Sequence, residues 1–208
     1  MSLVDYPEKI ATTVFTSGCN FDCAYCHNAQ LKKFIDNNIT EDEVFEYIKK
    51  HINMIDALTV TGGEPSLWDD ELISFFMRFK NKFQHKLLKV DTNGSRPNFL
   101  KKISKLIDYV AIDLKSLDYS RFSVITLDVI KESLEIVKTF ANYEIRITAY
   151  PPYVKQEDFS LYRDILKGHK RVAIQQLTPV NSVKPYEKSV LDDFAKTIEP
   201  VVDSVIVR

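Results

Sequence analysis

Apolar residues in this chain recur in two alternating patterns. The first is a short, nearly continuous run, rich in β-branched and aromatic residues, that ends in Gly, Asn, Asp or Pro. Such runs are typical of strands buried on both faces of a parallel sheet. The predicted strands cover residues 11–16, 57–61, 86–91, 108–113, 143–150 and 171–177, and residues 204–207 form a possible edge strand.

The second pattern spaces apolar residues three or four positions apart, as on one face of a helix. The clearest case follows Thr40, which forms a capping-box signature with Glu43. Ser66 is the predicted N-cap of a long helix over residues 66–83. Further helices are predicted over residues 97–106, 127–140, 157–166 and 187–198. Strand and helix alternate six times without a linker, so residues 1–208 are predicted to form one α/β domain, either an incomplete (β/α)6 TIM-like barrel with parallel strands, which we prefer, or an open sheet.

The amino-acid composition indicates which classes of molecule are poor candidates as binding partners. The chain has 208 residues, of which 45% are hydrophobic and 27% charged, and a formal net charge of −1. This balance disfavours a nucleic-acid partner, which would require an excess of Lys and Arg. An apolar run of roughly 20 residues, as needed to span a bilayer, is absent from the sequence, and MSLVDYPEKI has no secretory pattern. We therefore expect a cytoplasmic protein without a membrane partner.

Polar residues cluster where the predicted strands end. They are found in TVTGGEP after the second strand, in Asp91-Thr92-Asn93-Gly94 after the third and in Asp113-Leu114-Lys115 after the fourth. Arg146 lies in the fifth strand, and QQLTP follows the sixth. A capping or turn role explains any one of these residues, and a surface ion pair with Glu144 is an alternative for Arg146. Because parallel strands place their carboxyl ends at one edge of the sheet, the set as a whole predicts a single binding site.

The loop after the first strand, TSGCNFDCAYCHN, holds all three cysteines of the chain, Cys19, Cys23 and Cys26. A structural zinc site would need four ligands, and His27 is a poor fourth because it adjoins Cys26. A single redox or nucleophilic cysteine would explain one thiol but not three. An iron–sulfur cluster normally takes four cysteines, so three would leave one iron open to a ligand that is not protein. The neighbouring charged side chains favour an amino-acid group as that ligand.

CNFDCAYC resembles the CxxxCxφC signature of the radical S-adenosylmethionine (SAM) enzymes, with Tyr25 as the aromatic residue, and TGGEP resembles their second signature. More narrowly, SLVDYPEKIATTVFTSGCNFDCAYCHNAQL, DTNGS, DYVAIDLK and QQLTP resemble the anaerobic ribonucleoside-triphosphate reductase activating proteins. The resemblance implies a 4Fe–4S cluster held by Cys19, Cys23 and Cys26, with SAM chelating the open iron. Reductive cleavage of SAM would then give a 5′-deoxyadenosyl radical.

The resemblance also implies the SAM contacts. Gly62 and Gly63 would let the backbone approach the ligand closely, because neither has a Cβ. Main-chain groups around Gly63 and Glu64 would meet the methionine amino end, and Asp91 would be a second contact to that ammonium group. Arg146, with Asp113 and Lys115, would hold the carboxylate and the ribose hydroxyls. The adenine would lie near Tyr25 and Asn28, and Asn93 completes the predicted set.

The implied function is that of an activase, which places a glycyl radical on a partner enzyme. Anaerobic ribonucleotide reductase is the preferred partner because of the SLVDYP start, and flavodoxin or ferredoxin is the expected electron donor. A pyruvate formate-lyase-type activase is one alternative, and a radical SAM enzyme for a small molecule such as a deazaguanine precursor is another. The sequence departs from the pattern at Glu8, where relatives usually have Gly, at Asn181, in the shortened segment 116–128 and in residues 149–154.

Overall fold

The computed structural model describes residues 1–36, 39–179 and 182–208. Within these residues seven strands form one sheet: β1 (Ala11–Thr16), β2 (Ala57–Gly62), β3 (Leu87–Thr92), β4 (Tyr109–Asp113), β5 (Tyr143–Thr148), β6 (Arg171–Gln175) and β7 (Ser204–Val207). They follow one another in chain order, and every neighbouring pair is parallel. The prediction of a parallel α/β fold is confirmed, including the short seventh strand at the edge.

Helices connect the strands: α1 (Glu41–Lys50), α2 (Asp69–Lys82), α3 (Pro97–Ile103), α4 (Leu127–Val137), α5 (Phe159–Leu166) and α6 (Lys188–Ile198). The predicted capping box at α1 is confirmed, because the Thr40 side chain accepts from the Glu43 amide while Glu43 accepts from the Thr40 amide. The predicted N-cap at Ser66 is wrong. Residues Pro65–Trp68 form a 3-10 turn, α2 begins at Asp69, and the Ser66 amide instead donates to the Glu64 side chain.

Two apolar clusters place the site at one end of the sheet. The large core lies between the sheet and the helices and contains the fully buried Phe76, Phe79, Phe99 and Phe194. A smaller cluster lies on the inner face at the first residues of the strands. It consists of Tyr6, Ala11, Ala57, Tyr109 and Ala111. Tyr6 and Tyr109 are both buried and pack with ring centroids 5.6 Å apart at this end, whereas a cavity opens at the carboxyl ends of the strands.

The chain before β1 is tied to the inner face of the sheet. The Asp5 side chain accepts from the Thr13 hydroxyl at 2.7 Å, and its main-chain oxygen accepts from Thr59 and from Lys89. Glu8, named above as a departure from the family that the sequence resembles, has a φ of 60°, in the left-handed region that favours glycine. Within the described residues, none of the helices combines the length and the apolar composition required to cross a bilayer.

Candidate active site at the carboxyl ends of the strands

A cavity of about 650 Å³ opens at the carboxyl ends of the strands. All thirteen predicted site residues line it: Cys19, Cys23, Tyr25, Cys26, Asn28, Gly62, Gly63, Glu64, Asp91, Asn93, Asp113, Lys115 and Arg146. The structure therefore brings together residues from the cysteine loop and from the ends of β2, β3, β4 and β5. Asn181 lies outside the described residues.

The cysteine loop is held by main-chain bonds on one side. The Gly18 amide donates to the carbonyl of Leu31 at 2.9 Å, and the Cys19 amide donates to that of Lys32 at 3.0 Å. The Glu64 amide donates back to the Gly18 carbonyl at 2.8 Å, which joins the loop to the GGE turn after β2. These bonds fix the loop in a conformation that faces its thiols toward the cavity.

The other side of the loop rests on aromatic side chains. Phe21 packs edge-on against Tyr119 and Phe122, and Tyr25 packs against Tyr150 and Tyr153. The Asp22 amide also donates to the Phe122 carbonyl at 2.8 Å. These contacts come from segments 116–128 and 149–154, the two stretches named above as departures from the family that the sequence resembles. The structure places both segments against the cysteine loop, so the departures bear on how the loop is supported.

The three thiols differ in exposure. Cys23 is buried, while Cys19 and Cys26 are half-buried. Burial raises the pKa of Cys23 to about 11, although the nearby Lys115 ammonium lowers it, and burial also raises the pKa of Cys19. Among the described residues, no three His, Cys, Asp or Glu side chains are grouped as they would be around one metal ion. In an iron–sulfur cluster each thiolate binds its own iron, so the ligands surround a cluster rather than meet at one point.

Both glycines of the GGE turn lie so close to neighbouring main-chain atoms that a side chain would not fit. A Cβ on Gly62 would lie 2.4 Å from the Thr16 carbonyl oxygen, and one on Gly63 would lie 2.1 Å from the Gly18 carbonyl oxygen. The amides of Gly63 and Glu64 are already bonded to Thr16 and Gly18. The close approach that needs glycine is therefore that of the β1 loop, and a ligand would meet carbonyl groups here rather than these two amides.

The Glu64 side chain joins two strand ends. It is 1% exposed and accepts from the Ser66 amide at 3.1 Å, the Thr92 hydroxyl at 2.6 Å and the Asn93 amide at 2.7 Å. Burial raises the pKa of Glu64, while these three donors lower it. The side chain thus holds the GGE turn against the end of β3. Any contact of Glu64 with a ligand is therefore still predicted to be made by its main chain.

Asn93 extends this network toward the cysteines. Its side-chain amide donates to Asn20 at 2.9 Å, and Asn20 donates to Ser95 at 2.8 Å. Asn93 Oδ1 accepts from the Ser95 amide at 2.9 Å. Asn20 lies next to Cys19 in the sequence, so the chain of side chains links the end of β3 to the start of the cysteine loop.

Charged side chains on β3, β4 and β5 form an alternating row. Arg146 Nε donates to Asp113 Oδ1 at 2.7 Å, and an Arg146 terminal nitrogen donates to Asp91 Oδ2 at 2.9 Å. Lys115 bonds the other Asp113 oxygen at 2.9 Å, and Lys89 Nζ lies 2.7 Å from Asp91 Oδ1. The proposed surface pair of Arg146 with Glu144 is wrong, because Glu144 is 2% exposed and pairs with Arg208 instead.

Several residues of the cavity wall were not singled out from the sequence. They are Asp5, Phe15, Phe21, Thr61, Thr148 and Arg208, with Lys89 directly behind Asp91. The strand alternation gives a signal for some of them, since Thr148 and Lys89 share a face with Arg146 and Asp91. Arg208 follows β7, and a hydrogen bond of 3.0 Å from its amide to the Ile174 carbonyl holds it in place.

The described residues fit the two groups that the sequence implies. The donor set contains three thiols on one loop, beside a buried row of cations and carboxylates suited to an amino-acid group. The buried hydroxyl of Tyr25 lacks a hydrogen-bond partner in the described part of the chain. Such an orphaned polar atom in a cavity wall is consistent with a polar ligand.

Comparison with known proteins agrees with this site. Residues 13–170 match the model of the radical SAM superfamily. A Methanocaldococcus jannaschii protein, described as a candidate glycyl-radical enzyme activating enzyme, is 30% identical over 226 aligned residues that cover 100% of this chain and 92% of that protein. The pyruvate formate-lyase-activating enzyme of Clostridium pasteurianum is 26% identical over 96% of this chain and 87% of its own.

The fold is also similar to that of solved structures. Streptococcus suis SuiB bound to S-adenosylmethionine superposes with a TM-score of 0.72 at 13% identity, over 96% of this chain and 50% of SuiB. This chain thus spans about half the length of that protein, and the likeness concerns the fold. With the family match and the relative that covers the whole chain, it follows that this protein is an enzyme of the radical SAM superfamily, whose cofactors are SAM and a 4Fe–4S cluster, and that it groups with the glycyl-radical enzyme activating enzymes.

Proposed function

We propose that this enzyme is an activase that generates a glycyl radical on anaerobic ribonucleoside-triphosphate reductase. The observation that supports the proposal is the single cavity in which the cysteine loop faces the charged row on β3, β4 and β5. The relative that covers the whole chain is described as a glycyl-radical enzyme activating enzyme. The SLVDYP start favours the reductase as partner, and the pyruvate formate-lyase type is the alternative.

The three cysteines would hold the cluster as thiolates. Because Cys19 and Cys23 have raised pKa values, assembly would release protons, as is general for metal–thiolate sites. When bound, the cluster and SAM supply one-electron cleavage of the sulfonium and hence a hydrogen-abstracting radical. The aromatic side chains under the loop, Phe21, Tyr25 and Phe122 among them, would exclude water from this side.

The remaining residues would orient the ligand. Carbonyls of Gly62 and Gly63 would meet the amino end of the methionine group, with Asp91 as the charged partner on that side. Arg146 keeps guanidinium hydrogens beyond its two carboxylate bonds, and it would offer them to the ligand carboxylate. Tyr25 and Asn28 would lie near the adenine, while Asp113 and Lys115 would reach the ribose. Flavodoxin or ferredoxin is the proposed electron donor, and the cytoplasm the proposed location.

The test is glycyl-radical formation on a purified partner. The protein is reconstituted anaerobically with iron and sulfide, reduced, and mixed with SAM and either anaerobic ribonucleotide reductase or pyruvate formate-lyase. We expect the EPR doublet of a glycyl radical on the reductase, and its absence when Cys23→Ala protein is used. A doublet on the lyase alone would establish the alternative. Transfer of deuterium to 5′-deoxyadenosine from a labelled deazaguanine precursor, with neither enzyme activated, would overturn the activase assignment.

A further inference from the structure

Lys89 occupies an unusual place for a lysine. It lies in the middle of β3 with its side chain 4% exposed, on the inner face of the sheet. Its Nζ is 2.7 Å from Asp91 Oδ1, donates to the Asp5 carbonyl at 2.7 Å and lies 5.9 Å from the centre of the Tyr109 ring. A buried ammonium is costly unless it is compensated, and Asp91 supplies the compensating charge.

Lys89 lies at one end of the row of charged side chains. Its charge affects how much positive charge remains on Arg146 at the centre of that row. In the order Lys89, Asp91, Arg146, Asp113, Lys115, each carboxylate contacts two cations. Arg146 lies between both carboxylates, so without outer cations it would face two negative charges. Lys89 offsets Asp91 from one end, and Lys115 offsets Asp113 from the other. The guanidinium in the middle then retains positive charge for a further anion.

We propose that Lys89 is a positioning residue for SAM: by offsetting part of the charge of Asp91, it leaves more of the charge of Arg146 available to the methionine carboxylate. This inference rests on the proposed roles of Arg146 and Asp91 in SAM binding and names a group behind them that does not itself touch the ligand. Other carboxylates near the cavity are engaged elsewhere. Glu64 accepts three hydrogen bonds, Asp5 accepts from Thr13, and Glu144 pairs with Arg208.

A purely structural role is the competing explanation, because Lys89 also anchors the chain before β1 through the Asp5 carbonyl. The two roles differ in which ligand they affect. Loss of an anchor would disturb the cavity for any ligand, whereas loss of charge compensation would weaken binding of the carboxylate alone. SAM and decarboxylated SAM differ by that one group, so their affinities separate the roles.

The experiment measures binding of both compounds to the reconstituted holoenzyme by calorimetry. For Lys89→Met we expect SAM affinity to fall about tenfold and decarboxylated SAM affinity to hold or rise, because that compound keeps the amino group that Asp91 faces. Lys89→Arg should restore the preference for SAM, and Lys101→Met, which removes an exposed charge on α3, should leave both affinities unchanged. Equal losses for the two ligands, or no loss for SAM, would overturn the proposal.

The comparison remains valid if Lys89→Met folds poorly. Both ligands are measured on one preparation, and the ratio of their affinities does not depend on the folded fraction; Lys89→Gln provides a second, polar variant. The result is also separable from the choice of partner enzyme. A wild-type protein that binds SAM with the expected dependence on Lys89 but activates neither glycyl-radical enzyme would overturn only the activase function.

Discussion

Asp113 and Arg146 face each other across the paired strands β4 and β5, where the sheet register sets them side by side, and Arg146 Nε donates to Asp113 Oδ1 at 2.7 Å. The same guanidinium bonds Asp91 on β3, so one side chain ties three strand ends together. Burial raises the pKa of Asp113, but Arg146 and Lys115 outweigh it and hold that pKa at about 2. Asp113 is therefore charged at physiological pH before any ligand binds.

Replacing Arg146 should damage both stability and binding. Arg146→Met leaves two buried carboxylates without their shared cation, which costs about 3–5 kcal/mol in the free energy of unfolding. We expect this loss in urea denaturation of the cluster-free protein. Arg146→Lys keeps the charge but not the planar fork, so it should retain more stability while still binding SAM at least tenfold more weakly.

The matched control for Arg146 is Arg163→Met on α5, which removes an exposed guanidinium and should change the free energy of unfolding by less than about 0.5 kcal/mol. Iron content should stay normal in Arg146→Lys, since the cysteines are untouched. An Arg146→Lys protein with wild-type SAM affinity would show that Arg146 stabilises the fold but does not contribute to SAM binding through its planar guanidinium.

Gly62 and Gly168 provide a test of why glycine is needed in the GGE turn. Both have a positive φ, 118° and 78° respectively, but a Cβ on Gly168 would meet nothing within 4 Å. Gly168→Ala should therefore cost about 1 kcal/mol, the penalty of the backbone conformation. Gly62→Ala should cost about 3 kcal/mol or more, because the Thr16 main chain must also move. Equal losses in thermal or urea denaturation would contradict the close-approach explanation.

The sequence predicted the fold, and it predicted which residues line one cavity, because both depend on local patterns. Continuous apolar runs identified the buried parallel strands, and polar residues at their ends met in one cavity because parallel strands share an edge. Arg146 is an instructive case. Its spacing from Glu144 allowed a surface pair, and only the neighbouring strands, which bring Asp91 and Asp113 to it, show the actual partners.

What the sequence could not show depends mainly on contacts between residues that lie far apart in the chain. A lysine in mid-strand, such as Lys89, gives no sign that it is buried, because its partner Asp5 lies 84 positions away. The Ser66 cap failed for a local reason, since Glu64 accepts from the Ser66 amide two residues later and the chain forms a 3-10 turn before α2. The support of the cysteine loop by segment 116–128, by contrast, is a tertiary contact.

The cysteine ligands can be tested by metal content. Cys19→Ala, Cys23→Ala and Cys26→Ala should each prevent stable cluster assembly, because a three-cysteine site has no spare thiol. The check is iron and sulfide analysis with absorbance near 400 nm after anaerobic reconstitution. His27→Ala is the matched control, and it should keep its full iron content. Loss of metal in His27→Ala, or bound zinc in place of iron, would favour the four-ligand zinc site.

We expect His169 to add a pH-dependent contribution to the free energy of unfolding, which His169→Gln should remove. The residue is fully buried, and its Nδ1 lies 3.3 Å from the Tyr143 hydroxyl, while Nε2 lacks a hydrogen-bond partner among the described residues. Burial lowers the pKa of His169 to about 4 from its ordinary value of 6.5. The folded state therefore favours the neutral ring, whereas the unfolded chain binds a proton once the pH falls below about 6.5.

Because the unfolded chain binds the proton more readily than the folded protein, the free energy of unfolding falls as the pH is lowered. The contribution of His169 is fully present above pH 6.5, is lost progressively as the pH falls toward 4, and is constant below that value. His169→Gln removes the titrating group and keeps a polar side chain beside Tyr143. Relative to this variant, the wild-type protein should lose about 3 kcal/mol of unfolding free energy between pH 7 and pH 4, measured by urea denaturation of the cluster-free form. A constant difference between the two proteins across that range would show that His169 titrates normally in the fold.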